Sequence, residues 1–138
     1  MIKLIILDVD GTLTKGGILI GNSGEEFKEF NVKDGYMIAS ARKKCGKIFA
    51  IITGRNSKIV SIRAKELGIT HLYQGIDDKI VVYEQLKKEL NITDEETAYI
   101  GDDLNDFEVM KRVGLVGAPA DACREILETA DFVSSKTP

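Results

Sequence analysis

Ile2-Lys3-Leu4-Ile5-Ile6-Leu7-Asp8-Val9-Asp10-Gly11-Thr12 decides the fold. Residues 2–9 are β-branched and Leu-rich, and their apolar character is continuous rather than alternating. This predicts a strand buried on both faces, as in a parallel sheet. Two aspartates and a glycine follow at once, so the chain turns sharply where polar side chains can gather at the strand's carboxyl end.

Further short apolar runs occur at residues 48–52, 72–73, 98–100, 115–116 and 132–133. Helical patterns separate them, at roughly 36–45, 57–67, 79–90, 104–113 and 122–128. Gly46, Gly68 and Gly114 each stand just past a predicted helix, where a left-handed cap is expected. Regular alternation of strand and helix predicts a doubly wound, Rossmann-like α/β fold with a parallel sheet. Residues 16–32 interrupt the alternation: two short strand-like stretches flank Gly21-Asn22-Ser23-Gly24, which predicts a β-hairpin insert beyond the carboxyl edge of the sheet. Nothing resembles a repeat or a linker, so residues 1–138 are read as a single domain with no large cap domain.

Composition narrows the function. Hydrophobic residues make up 43% and charged residues 30% of the 138, as in ordinary globular proteins. The net charge is −3 with Lys and Arg dispersed, which gives neither a nucleic-acid footprint nor a polybasic membrane patch. The leading apolar run is too short for a signal peptide or a membrane span. Cys45 and Cys123 have no metal-ligand spacing and are read as reduced thiols, so the expected location is cytoplasmic.

In open α/β sheets ligands bind outside the carboxyl ends of the strands. Asp8 and Asp10, Thr53-Gly54-Arg55, Lys79, and Gly101-Asp102-Asp103-Leu104-Asn105-Asp106 all fall there or nearby. Asp8, Asp10, Asp102, Asp103 and Asp106 crowded into one crevice repel unless a cation or a lysine compensates. Hard oxygen donors without clustered His or Cys favour Mg²⁺ over Zn²⁺. Mg²⁺ commonly completes its shell with waters and a phosphate oxygen, so the site is suited to a phosphoryl group.

These motifs resemble those of the haloacid-dehalogenase-like (HAD-like) hydrolase superfamily: Asp8-Val9-Asp10-Gly11-Thr12, Thr53, Lys79 and Gly101-Asp102-Asp103-x-x-Asp106, in the family's order. The resemblance implies a phosphatase in which Asp8 is the nucleophile, forming an aspartyl-phosphate, and Asp10 the general acid and base. It implies that Thr53 and Lys79 hold phosphoryl oxygens, and that Asp8, the Asp10 carbonyl and Asp102 bind Mg²⁺. Physical chemistry accords with these roles, since a carboxylate nucleophile divides one difficult displacement into two easier ones and a compact lysine charge suits phosphoryl oxygens. A solvated lysine at the start of a helix is the other reading of Lys79, disfavoured by the helix dipole. Phe30-Asn31-Val32-Lys33-Asp34-Gly35-Tyr36, Ile52-Thr53-Gly54-Arg55, Gln74-Gly75 and Tyr99-Ile100-Gly101-Asp102 are similar to one branch of that superfamily. The branch contains 3-deoxy-D-manno-octulosonate 8-phosphate phosphatases and acylneuraminate-type sugar phosphatases. It implies a phosphorylated acidic sugar as substrate, a place in lipopolysaccharide biosynthesis, and a homotetramer. Many members carry a Gly-rich tail past the last strand, whereas this sequence ends Ser134-Ser135-Lys136-Thr137-Pro138.

Thr12, Gly54, Arg55, Lys33 and Arg63 are the substrate-binding candidates, with Arg55, Lys33 and Arg63 competing for a substrate carboxylate. Asp103 and Asp106 are supporting acidic groups. His71 is not expected to be catalytic, Phe27 and Phe30 are expected to pack the hairpin, and Pro119 to shape a loop. A phosphatase of broad specificity, or for another sugar phosphate, is the alternative within the enzyme class. A phospho-acceptor receiver domain would not place Asp-x-Asp-Gly-Thr on the first strand and an acidic pair on the fourth. A non-catalytic interaction subunit has no need of every catalytic position.

Overall fold

The computed structural model describes residues 1–135; residues 136–138 of the terminal stretch quoted above lie outside the described residues. Six parallel strands, β1 (Leu4–Leu7), β4 (Ile48–Ile52), β5 (His71–Tyr73), β6 (Thr97–Ile100), β7 (Leu115–Ala118) and β8 (Phe132–Val133), form one sheet in the order β5-β4-β1-β6-β7-β8. Helices α1 (Val32–Cys45), α2 (Lys58–Leu67), α3 (Lys79–Leu90), α4 (Phe107–Met110) and α5 (Arg124–Thr129) join the strands. No helix among the described residues is long and apolar enough to cross a membrane.

β1 lies at the centre, paired through Leu4 with both Ile48 and Thr97 and through Leu7 with both Ile51 and Ile100. Its side chains alternate between two cores. Leu4 and Ile6 join Ile52, Tyr83, Leu86, Tyr99 and Ile126 on one face, and Leu7 joins Ile38, Ile51, Val60 and Ala64 on the other. Both faces being covered explains why the sequence pattern is unbroken. The ladder stops at Leu7, short of the expected Val9. Val9 stays buried, but its carbonyl accepts from the amides of Thr12, Leu13 and Thr14, so the backbone has already turned.

The hairpin is present as β2 (Leu19–Ile20) and β3 (Glu26–Phe27), paired Leu19 to Phe27, with Gly24 at φ 87° in its turn. It is smaller than the expected 16–32, because α1 begins at Val32 rather than Tyr36. Asn31 Oδ1 accepts from the Lys33 amide at 2.8 Å and caps the helix, which then runs straight through Gly35. Gly35 belongs there because a Cβ would stand 2.8 Å from the Arg63 guanidinium of α2.

Gly46 and Gly68 are left-handed caps as expected, at φ 66° and 75°. Gly114 is not. It is needed for close approach, since a Cβ would come within 2.6 Å of the Glu95 carbonyl oxygen. The helix expected over 104–113 is broken into a single 3₁₀ turn, Leu104–Asp106, and the short α4. Asp103 and Asp106 form a capping box there, which commits their carboxylates to backbone amides.

Candidate active site

Four strand-to-helix junctions meet at the carboxyl edge of the sheet. Asp8 follows β1 and Thr53 follows β4; both are buried. Gly101 and Asp102 follow β6, and Lys79 opens α3. A cleft of about 150 Å³ is lined by Asp8, Asp10, Thr53, Gly54, Arg55, Asp102, Asp103 and Asn105. A wider groove of about 580 Å³ at the far end of α3, lined among others by Lys87, Lys88 and Thr93, contains none of these residues.

Lys79 is only 2% exposed, so it is no solvated helix-start lysine. Its Nζ donates to Asp8 Oδ1 at 3.0 Å and to Asp106 Oδ1 at 2.8 Å. Asp106 is fully buried and also accepts from the Tyr99 hydroxyl and, at longer range, from the amides of Asp102 and Asp103. One carboxylate therefore ties β6, the turn after it and α3 together. Gly101 leaves room for it, because a Cβ would lie 2.5 Å from Asp106 Oδ2.

The electrostatics show a site short of positive charge. Burial and the neighbouring Asp106 charge push the Asp8 carboxyl up to about 7 against the pull of Lys79. Burial and Asp106 push Asp102 up to about 6. Burial disfavours charge on Lys79, but Asp8 and Asp106 outweigh it and hold the ammonium above its ordinary value. Burial and Asp106 hold the Tyr99 phenol far above its usual range, so it remains a donor.

A divalent cation fits this shortfall. Oxygens of Asp8, Asp102 and Asp106 lie within 4.8 Å of one another, and Asp102 Oδ1 is buried without a hydrogen-bond partner. Asp106 is already engaged by Lys79 and Tyr99, which leaves Asp8 and Asp102 facing the space. All-oxygen donors suit a hard ion. Gly11 permits the approach: it has φ 86°, and a Cβ would fall 1.8 Å from Asp102 Oδ2.

Other candidates are placed less centrally. Asp103 is exposed, with Oδ1 capping the Leu104 amide at 2.7 Å. Thr12 lies outside the cleft lining, with its hydroxyl oxygen buried and unpartnered. Arg55 lines the cleft, but Lys33 and Arg63 do not. Lys33 is exposed in the first turn of α1. Arg63 lies over the Phe30 ring at 5.5 Å and donates to the Asn31 carbonyl at 3.2 Å. Three residues at the site escaped sequence reasoning as functional groups. Tyr99 and Asn105 stood inside a quoted motif. Lys28 is held against Asp10 Oδ1 at 2.7 Å, and its only signal was its i, i+2 spacing from Glu26 on a predicted strand.

A central aspartate at the end of a parallel strand, a buried lysine and a cation-ready acidic cleft define an enzyme of the phosphoryl-transfer class. The chain belongs to the haloacid dehalogenase-like hydrolase family, whose model matches residues 21–138. It is 50% identical over 133 residues to the 3-deoxy-D-manno-octulosonate 8-phosphate phosphatase KdsC of Escherichia coli K12, covering 96% of this chain and 70% of that protein. The corresponding phosphatase of Yersinia pestis has a structure that superposes with a TM-score of 0.96 at 49% identity, over 99% of this chain and 73% of that one. The Moraxella catarrhalis phosphatase, solved with magnesium, phosphate and the octulosonate bound, gives 0.93 at 43% identity, over 99% and 78%.

Proposed function

We propose that this chain is a Mg²⁺-dependent phosphatase that hydrolyses 3-deoxy-D-manno-octulosonate 8-phosphate through a phosphorylated Asp8. The observation that carries the reading is the Asp8–Lys79–Asp106 arrangement at the base of a cation-ready cleft. It occurs in a chain 50% identical to a phosphatase of that name. Asp8, the main-chain carbonyl of Asp10 and Asp102 are the ligands proposed for Mg²⁺, which when bound neutralises charge on the phosphoryl oxygens and on the carboxylates.

In the first half-reaction an Asp8 carboxylate oxygen attacks phosphorus. The Asp8–P bond forms as the bond from phosphorus to the sugar oxygen breaks, and Asp10 gives that oxygen its proton. In the second, Asp10 takes a proton from water as the water oxygen attacks phosphorus, which releases phosphate and restores Asp8. Thr53 and Lys79 steady the phosphoryl oxygens, and Asp106 holds Lys79 in place. Among the three cations considered for the substrate carboxylate, Arg55 is favoured because it alone lines the cleft.

The exposed hairpin supports the homotetramer in this reading. Leu19, Ile20 and Phe27 are 72%, 70% and 55% exposed on a ribbon two residues long on each side, too small to be stable by itself. Pairing these surfaces in a homotetramer covers them and roofs each cleft, which has no cap domain among the described residues. A cytoplasmic location, with the sugar phosphate drawn from lipopolysaccharide synthesis, completes the reading. The test is phosphate release from octulosonate 8-phosphate, nonulosonate 9-phosphate and hexose phosphates, with Mg²⁺ and with chelator. Preference for the octulosonate by at least about tenfold in kcat/KM is expected, and each tenfold corresponds to about 1.4 kcal/mol of differential binding. Equal rates on hexose phosphates would favour the broad-specificity alternative.

A further inference from the structure

Lys28 stands one residue past β3, and its side chain is fully buried. Its ammonium lies 2.7 Å from Asp10 Oδ1 and 3.3 Å from Glu26 Oε1. Glu26 Oε1 is itself buried without a hydrogen-bond partner and stands 3.5 Å from the Arg55 guanidinium. Strand alternation puts Glu26 and Lys28 on one face of the ribbon and the exposed Phe27 on the other. A lysine buried this completely is unfavourable unless paired. Asp10 and Glu26 supply that pairing, so the position is explained by what the ammonium touches.

We propose that Lys28 is a positioning residue for Asp10. An ammonium only donates, so it holds Oδ1 as an acceptor and leaves Oδ2 as the oxygen that carries and delivers the proton to the leaving group. Asp10 lines the cleft and Lys28 does not, so the lysine acts behind the carboxyl rather than on the phosphate. Glu26 Oε1 anchors the ammonium as its second ion-pair partner, at 3.3 Å. The hairpin is thereby wired to the chemistry as well as standing over it. The inference rests on the proposed role of Asp10 as acid and base.

The leaving group supplies the test. The sugar oxygen must be protonated as it departs, whereas 4-nitrophenolate departs without a proton. Single-turnover cleavage of octulosonate 8-phosphate and of 4-nitrophenyl phosphate is measured with the Mg²⁺-loaded full chain for wild type, Lys28→Met and Asp10→Asn. Lys28→Met is expected to slow the sugar phosphate about 10–100-fold, a fraction of the range for acid–base catalysis, and the aryl ester less than about threefold. KM should stay within about threefold for both, because uniform binding is not touched. Glu26→Gln, which loosens the anchor while leaving Lys28 in place, is expected to show the same selectivity at smaller amplitude and stands in if Lys28→Met does not fold. Equal slowing of both esters, no slowing of either, or a raised KM for both would overturn the proposal when Asp10→Asn is itself selective for the sugar phosphate. An Asp10→Asn variant without that selectivity would overturn the acid–base reading, and the lysine's role with it.

Discussion

Replacing Lys79 by Met removes the one buried cation between Asp8 and Asp106 while nearly preserving volume. The two ion pairs, at 3.0 and 2.8 Å, both lie out of water. Breaking a buried pair by deleting one partner costs about 3–5 kcal/mol when the remaining charge stays uncompensated. Here that cost depends on pH. The Asp8 carboxyl is already raised from 3.8 to about 7, so the native state holds its proton more tightly than the unfolded chain does. Such a group favours folding most below pH 4, and its contribution is lost as pH rises through 7. Without Lys79 the folded value moves higher still, and the decline with pH extends further. At pH 8, in chelator, the loss should approach the full 3–5 kcal/mol, or about 10–20 °C in Tm for a chain of this length. At pH 5 the Asp8 and Asp102 carboxyls are largely protonated, and the loss should shrink to about 1–3 kcal/mol from the hydrogen bond to Asp106. Thermal and urea denaturation of both proteins at the two pH values, followed by circular dichroism, measure it. Equal destabilisation at pH 5 and pH 8, or a variant within about 2 °C of wild type at pH 8, would refute the electrostatic account.

Asp8→Asn should abolish turnover and raise the melting temperature in chelator, since it removes a buried carboxylate facing Asp106; phosphate-release and melting assays check this, and near-normal hydrolysis contradicts the nucleophile assignment. Gly11→Ala should weaken Mg²⁺ binding by at least about tenfold, equivalent to 1.4 kcal/mol, because the new methyl collides with Asp102 at a positive φ; titration calorimetry reads it, and unchanged affinity would mean that Asp102 is not a ligand. Leu19→Asp together with Ile20→Asp should dissociate the proposed tetramer and reduce preference for the sugar phosphate more than hydrolysis of 4-nitrophenyl phosphate. Light scattering with parallel kinetics decides it, and a wild-type monomer of full specificity would rule the assembly out.

The centre of the molecule was legible in the sequence for a physical reason. A strand covered on both faces needs an unbroken apolar run, and residues at the carboxyl ends of parallel strands converge whatever their separation in the chain. Asp8, Thr53, Lys79 and Asp102 were therefore recoverable from order and position. Gly35 hid the start of α1, because its absence of a side chain serves the contact with α2 rather than ending a helix. The break after Asp106 was hidden because that carboxylate serves Lys79, Tyr99 and local amides at once. Lys28 sits in a charged stretch that reads as solvated. Its partner lies 18 residues away, and no periodicity encodes such a contact.

The central place of β1 also sets an order of events during folding. The first residues of the chain must pair with Ile48–Ile52 on one side and with Thr97–Ile100 on the other. The second pairing closes a loop of more than ninety residues, and such non-local contacts are slow to form. During synthesis Asp8, the proposed nucleophile, is made more than ninety residues before Asp102, its proposed metal partner, and Asp106, which clamps Lys79. Until then Asp8 has no cleft around it, and a half-made chain carries the strand without the chemistry. Acquisition of Mg²⁺ affinity would thus mark the pairing of β1 with β6, and metal binding followed in time during refolding reads out that long-range step.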